Sequence, residues 1–247
     1  MSTVAEAEQV VKKLVEGGAT AIKVSLEPGG EDGAPWMMPH GENPVPATPW
    51  PMLPEPVVKA IVSKAHALKK RVIAHVSENT GFKRAVDAGV DELAHMPCSA
   101  IDDGLLKTAV DKGIRFVTTI DTLSSCGMGL HGNAMKLAGK GAKFIYGSEI
   151  AHDNVPWGIN GEEMHMILHL TSGATTDFQD VVNVFKAVTS EAGKRLGVNP
   201  LLGQLVPGAP ADIIAVRGNP FERFKILEYP ALVMSGGQIV VNKFAKK

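Results

Sequence analysis

The amino-acid sequence predicts an α/β fold, with about five βα units building a parallel sheet and a short run of strands of a different kind after them. Three observations predict it. A phrase of one shape recurs four times, as "KKRVIAH", "AGVDELAH", "KGIRFVTT" and "KGAKFIYG". Segments with helical periodicity lie between the recurrences, several of them stopped by glycine. From Leu201 the helical pattern gives way to short apolar β runs.

The elements follow in order. Val4, Ala7, Val10, Val11, Leu14 and Val15 recur at three- and four-residue steps, so a helix starts the chain, with Ser2 or Thr3 as its cap and Gly17-Gly18 as its stop. Ala21 to Leu26 is a short strand. A proline-rich loop then runs to about Pro54, with nine prolines between Pro28 and Pro56. Glu55 to Leu68 places Val57, Val58, Ile61, Val62, Ala65 and Leu68 on one helix face. Strands are expected at Arg71–Val76, Asp91–Met96, Arg115–Ile120 and Lys143–Gly147, with helices at Asn79–Ala88, Ile101–Lys112 and His131–Ala138. Two more helices, Glu162–Leu170 and Asp177–Arg195, the latter with Thr176 as cap, lead to strands at Asp212–Val216, Ala231–Met234 and Gln238–Val241. Ser235-Gly236-Gly237 joins the last two as a hairpin. A domain boundary is expected near residue 200, separating residues 1–200 from 201–247. A closed eightfold barrel needs about 250 residues by itself. Either the sheet is open, or part of a barrel is missing.

Composition narrows the class. Of 247 residues, 45% are hydrophobic and 21% charged, and the formal net charge is -1, so neither a nucleic-acid surface nor a disordered acidic tail is indicated. No apolar run is long enough to span a bilayer. Met1 is followed by Ser-Thr-Val-Ala-Glu, with neither a basic nor an apolar leader region, so no secretory signal and a cytoplasmic location are expected. Cys98 and Cys126 are isolated and are expected to be two buried, reduced thiols.

In parallel βα folds the functional groups sit at the carboxyl ends of the strands. The polar residues there are Lys23, His75, His95, Thr118, Thr119 and Glu149. Two histidines at equivalent places in successive units, with a carboxylate and a lysine from sister strands, point to a metal site. Neutral imidazoles suit zinc, nickel or iron, and Glu149 would add charge and a general base. A lysine normally repels a cation, but Lys23 carboxylated by carbon dioxide becomes a carbamate whose two oxygens can bridge two of them.

These residues carry a resemblance. "GATAIKVSLEPGG", "VIAHVSENTGFKRAVDAGVDELAHM", "FKAVTSEAGKRLGVNPLLGQLVPGAPADIIAVRGNPF" and "VMSGGQIVVN" resemble the C-terminal two-thirds of a metal-dependent amidohydrolase, in the branch of imidazolonepropionase and Xaa-Pro dipeptidase-like enzymes. The resemblance implies an incomplete (β/α)8 TIM-type barrel followed by C-terminal strands of a small β-sandwich. It implies Lys23, His75 and His95 as ligands of one or two divalent metal ions, zinc above all. The reaction it implies is attack of metal-activated water on an amide, peptide, lactam or similar C–N bond in a small-molecule or short-peptide substrate. Two departures stand out. The family's first barrel strand ends in a His-x-His ligand pair, and no His-x-His with that context occurs here. Its eighth strand ends in Asp, whereas "IYGSEIAHD" places Glu149 there, with Asp153 the other candidate carboxylate.

The remaining candidates have plainer readings. His40, His66, His131, His165 and His169 read as surface or helix positions, and Thr118 and Thr119 as β-branched strand residues. His152, three residues beyond Glu149, reads equally as a substrate contact or a loop residue. Trp36 and Trp50 would either wall an apolar pocket from a lid-like proline-rich loop or decorate a rigid one. A second function class competes with the enzyme, namely a degenerate or partial subunit that needs self-association or a complementary N-terminal chain. Open sheet edges would invite such pairing, and Val216, Val233 and Val240 would face solvent. A nucleotide-binding fold is disfavoured, because no G-x-G-x-x-G follows a strand.

Overall fold

The computed structural model describes residues 2–27, 52–124, 126, 129–150 and 157–244. The proline-rich loop with Trp36, Trp50 and His40, and the candidates His152 and Asp153, lie outside the described residues. The chain forms two compact units, one up to Phe144 and one from Ile145.

Strands β1 (Ala21–Ser25), β2 (Arg71–His75), β3 (Glu92–Ala94), β4 (Arg115–Val117) and β5 (Lys143–Ile145) lie side by side in sequence order, β5 ending one residue past the first unit. The registers of β1 to β4 are parallel. Helices α1 (Val4–Glu16), α2 (Glu55–Ala67), α3 (Asn79–Ala88), α4 (Asp103–Asp111) and α5 (Gly129–Gly139) alternate with them, each packed against the next. A doubly wound sheet would show a reversal of strand order. Consecutive order with consecutive helices in contact is the winding of a barrel segment, and it decides between the two architectures left open by the sequence.

The helices form where the periodicity places them. Thr3 caps α1 by accepting the Glu6 N–H, and Glu78 caps α3 by accepting from Thr80 and Gly81. Ala7 and Val11 of α1, Val57, Val58, Ile61, Val62 and Ala65 of α2, and Phe82, Ala85 and Val86 of α3 are buried. They meet Ile22, Val24, Val72, Ala74, Leu93 and Phe116, which alternate along the strands with residues of the opposite face. Strands β3 and β4 are shorter than the hydrophobic runs suggest. Each is followed within two residues by a left-handed backbone, at His95 (φ 72°) and Thr119 (φ 53°), which ends the extended conformation.

In the second unit, α6 (Gly161–Thr171) and α7 (Phe178–Val188) share a core of Met164, Ile167, Leu168 and Val184 with Phe224 and Leu227 of a short 3-10 turn. Asp177, not Thr176, caps α7, through a capping box with Asp180. The single helix expected over Asp177–Arg195 is two, because Thr189 leaves helical geometry (φ -116°, ψ -89°) before α8 (Ser190–Leu196), and its hydroxyl donates back to the Phe185 carbonyl. Strands β6 (Ile213–Ala215), β7 (Leu232–Ser235) and β8 (Gln238–Asn242) make an antiparallel sheet. Gly236 and Gly237 form the two-residue hairpin with φ of 55° and 81°, the pair of positive values that a type I′ turn needs. Val240 faces solvent as expected, but Val216 and Val233 are half-buried, with Val216 packed against the Met164–Phe224 core. No helix among the described residues is long and apolar enough to cross a membrane.

The expectation of two separate reduced thiols is corrected. Cys98 and Cys126 are joined as a disulfide with Cα atoms 5.5 Å apart. Their separation of 28 residues hides that the loops after β3 and β4 are neighbours at the ends of adjacent strands. Disulfides persist in oxidising surroundings, so the thiols no longer support a cytoplasmic location. Replacing both cysteines by serine is expected to lower unfolding free energy by about 3–4 kcal/mol, from the entropy of closing a loop of this length. Urea denaturation measures it, and an unchanged midpoint would show that other contacts already hold the two loops.

Candidate active site

The site grows from strand register. Along β1 and just beyond it, Ile22, Val24 and Leu26 are buried, while Lys23, Ser25 and Glu27 alternate with them and take the other face. Ser25 pairs with His75, His75 with Ala94, and Ala94 with Val117. One layer lower, Lys23 pairs with Ile73, Ile73 with Glu92, and Glu92 with Arg115. His75 is therefore the uppermost paired residue of β2, and exposed Lys23 starts one layer beneath it on the same face.

At the top of this face, Glu27 Oε2 contacts His75 Nε2. The Glu27 side chain is only 10% exposed, against 27% for His75. His95 follows β3 directly, is buried, and places its ring edge-on to His75 with centroids 5.0 Å apart. His95 Nδ1 is hydrogen-bonded to Thr119 Oγ1 at 3.0 Å. A left-handed backbone at both ends of that bond is uncommon, and for β-branched Thr119 it is a true outlier. Strain of this kind costs of order 1–3 kcal/mol per residue and persists only where surrounding structure enforces it.

The enforcing contacts are visible. Leu26 N–H donates to the His75 carbonyl at 2.9 Å, extending the β1–β2 ladder past its last pair. Ser99 N–H donates to the Ser77 carbonyl and Gly129 N–H to the Cys98 carbonyl, both at 3.0 Å. The buried Asn133 amide donates to the carbonyls of Pro97 and Ser99 and accepts the Ile101 N–H. Two glycines are needed for close approach. A Cβ on Gly81 would lie 2.0 Å from the Leu26 carbonyl oxygen, and one on Gly129 would lie 2.2 Å from the Ser99–Ala100 peptide.

Glu149 belongs to the second unit. It lies beyond β5, exposed, with a left-handed backbone (φ 45°) like His95 and Thr119. Its strand-end segment is tied down by Tyr146, whose hydroxyl accepts the Asn160 N–H at 2.7 Å, while Asn160 caps α6. Burial pushes the Tyr146 phenol up, against the lowering effect of its bonds to Ser148 and Asn160, so it stays neutral at ordinary pH.

The structure thus brings His75 and His95 together, with Lys23 one layer below. Sequence reasoning missed Glu27, Thr119 in its contact with His95, and Asn133. The signal for Glu27 was present, since it lies two and four residues beyond Ser25 and Lys23 at strand period. Among the described residues, no three His, Cys, Asp or Glu side chains are gathered closely enough to hold an ion as they stand. The donor chemistry nevertheless fits a divalent cation. His75, with His95 edge-on to it, contacts the Glu27 carboxylate, whose Oε1 is buried without a hydrogen-bond partner, an expensive arrangement for a charged group.

No protein-family model matches the chain. Ochratoxinase from Aspergillus niger is 29% identical over 246 residues, covering 93% of this chain and 47% of the relative, so the chain spans about half the length of the curated relatives it matches. Among solved structures, a Xaa-Pro dipeptidase with bound methionine superposes with a TM-score of 0.75 at 22% identity, covering 98% of this chain and 59% of the other. The crystal structure of A. niger ochratoxinase gives 0.73 at 22% identity, covering 100% and 56%. Molinate hydrolase gives 0.67 at 15%, covering 96% and 55%. The sheet winding agrees with these folds, and the chain is similar in sequence along nearly its whole length to about half of ochratoxinase, and in fold to the Xaa-Pro dipeptidase structure.

Proposed function

We propose that this chain carries one side of a metal-dependent hydrolase site acting on an amide, peptide, lactam or similar C–N bond of a small molecule or short peptide. The observation that carries the reading is the pair of strand-end imidazoles, His75 and His95, with ring centroids 5.0 Å apart on adjacent parallel strands. His75, His95 and carboxylated Lys23 would hold the cation, zinc by preference for this nitrogen-rich set. When bound, the ion supplies Lewis acidity toward the carbonyl and lowers the pKa of water. Thr119 accepts the His95 Nδ1–H in this reading, which fixes Nε2 as the nitrogen carrying the lone pair. In the resembling enzymes' pattern Glu149 would be the general base, with Asp153 the alternative carboxylate and His152 a substrate contact.

Elemental analysis of the purified protein tests the reading. About one zinc per chain is expected, lost in both His75→Ala and His95→Ala; a metal-free wild type, or mutants that keep the ion, would refute it. Thr119→Val deletes only the hydroxyl partner of His95. It is expected to weaken zinc binding about 10–100-fold, the usual effect of losing an outer partner of a metal-bound histidine. Isothermal titration with zinc measures it.

A second reading is favoured by a specific surface. In β8, Ile239 and Val240 are 56% and 65% exposed, and Ile214 of β6 is also exposed, so the antiparallel sheet presents apolar side chains outward. This suits a partial subunit that works as a homo-oligomer or with a complementary N-terminal chain, with weak or no hydrolysis alone. Size-exclusion chromatography with light scattering is expected to show self-association of the isolated chain. A well-behaved monomer that hydrolyses C–N substrates robustly would exclude it.

A further inference from the structure

We infer that the Cys98–Cys126 disulfide is a redox latch on the His95–Thr119 pair. Reduction by a dithiol frees the loop after β4, Thr119 leaves its left-handed backbone, and its hydrogen bond to His95 opens. The inference goes beyond the hydrolase reading and depends on no bound metal. Cys98 follows His95 by three residues and Cys126 follows Thr119 by seven, so the covalent bond and the bond between His95 Nδ1 and Thr119 Oγ1 join the same two loops.

The two loops are held differently. The loop after β3 is bonded to elements on both sides of it, through Ser99 N–H to the Ser77 carbonyl, Gly129 N–H to the Cys98 carbonyl, and the buried Asn133 amide. The segment after β4 builds on itself. Leu123 N–H donates to the Thr119 carbonyl at 3.2 Å, Ser124 N–H to the Asp121 carbonyl at 3.2 Å, and Cys126 N–H to the Leu123 carbonyl at 2.9 Å. Those turns shape the segment, and the disulfide anchors it to the loop after β3. Thr119 is a β-branched residue at φ 53°, a conformation that persists only while its surroundings enforce it. Removing the anchor therefore acts first on Thr119, while the backbone at His95 keeps its own ties. Once Thr119 Oγ1 withdraws, the His95 ring is no longer held to one tautomer.

The bond is open to exchange at one end, since Cys98 is buried and Cys126 is half-buried. A thiolate of the dithiol attacks Cys126 Sγ, the S–S bond breaks, and Cys98 Sγ leaves with the electron pair and takes up a proton. The second thiol of the reductant then attacks the mixed disulfide. The reductant departs as a cyclic disulfide and Cys126 as a thiol, so two electrons and two protons have passed to the protein.

The test follows amide hydrogen exchange by mass spectrometry in peptides covering residues 95–101 and 119–126, before and after dithiothreitol and after reoxidation. Alkylation counts the free thiols in each state, and the imidazole ¹⁵N signals of His95, assigned with His95→Gln, are read at fixed pH. Untreated protein is expected to take up no alkylating label, and reduced protein two. Reduction is expected to speed exchange in 119–126 by at least about tenfold, while 97–101 stays protected. The His95 nitrogen signals are expected to move, those of His165 and His169 to stay, and reoxidation to restore the starting pattern. Cys98→Ser combined with Cys126→Ser is expected to show the reduced pattern without reductant; if that variant does not fold, the reversibly reduced wild type decides alone. Two labels on the untreated protein would overturn the inference, because no latch would exist. Unchanged exchange and unchanged His95 signals on reduction would overturn it by making the disulfide inert. Loss of protection throughout the first unit would overturn it too, making the bond a staple of the whole unit.

Discussion

Parallel register is the constraint on which the rest of this structure depends. Once β1, β2, β3 and β4 are locked in step, Ser25, His75, Ala94 and Val117 must form one row, and the residues just beyond that row must meet. The helices enforce the register by burying the alternate side chains, Ile22, Val24, Val72, Ala74, Leu93 and Phe116. A slip of one residue in any strand would exchange buried and inward faces throughout, at a cost of roughly 1.5–3 kcal/mol for each large apolar side chain brought to water. The chemistry at the strand ends is thereby set by packing on the opposite side of the sheet.

That chemistry also requires the strands to stop. His95 and Thr119 turn left-handed directly beyond β3 and β4, which halts each ladder and swings both side chains into hydrogen-bond contact. The strain is offset by an unusually complete set of ties between successive loops, with Ser77 to Ser99, Cys98 to Gly129, Asn133 to three backbone groups, and the Cys98–Cys126 bond across the same layer. Rigid scaffolding beneath a polar cluster is the arrangement expected of a preorganised site. The left-handed backbone of Glu149 repeats the device within the second unit.

The relatives place this device in context. Structures that share the fold at TM-scores of 0.73 to 0.75 are longer, and this chain covers 56% to 59% of them. Within that span His75 and His95 lie ring to ring, and the Glu27 carboxylate contacts His75. Ile214 of β6 and Ile239 and Val240 of β8 leave apolar side chains of the antiparallel sheet exposed.

Much of the architecture was legible in the amino-acid sequence because its signals are local. Strand and helix periods, glycine stops, the paired glycines of the hairpin and the recurrence of His75 and His95 at like positions need only neighbouring residues to be read. The resemblance carried by the closing segment is likewise read from residues continuous along the chain. What only the tertiary structure decided involves residues distant in sequence. The sequential strand order that makes the sheet a barrel segment, the joining of Cys98 to Cys126 and the bond of Thr119 to His95 all depend on which loops become neighbours. Glu27 is the sharpest case. Its period-two spacing from Lys23 is written in the sequence, but its contact with His75, 48 residues away, exists only because two parallel strands lie in register.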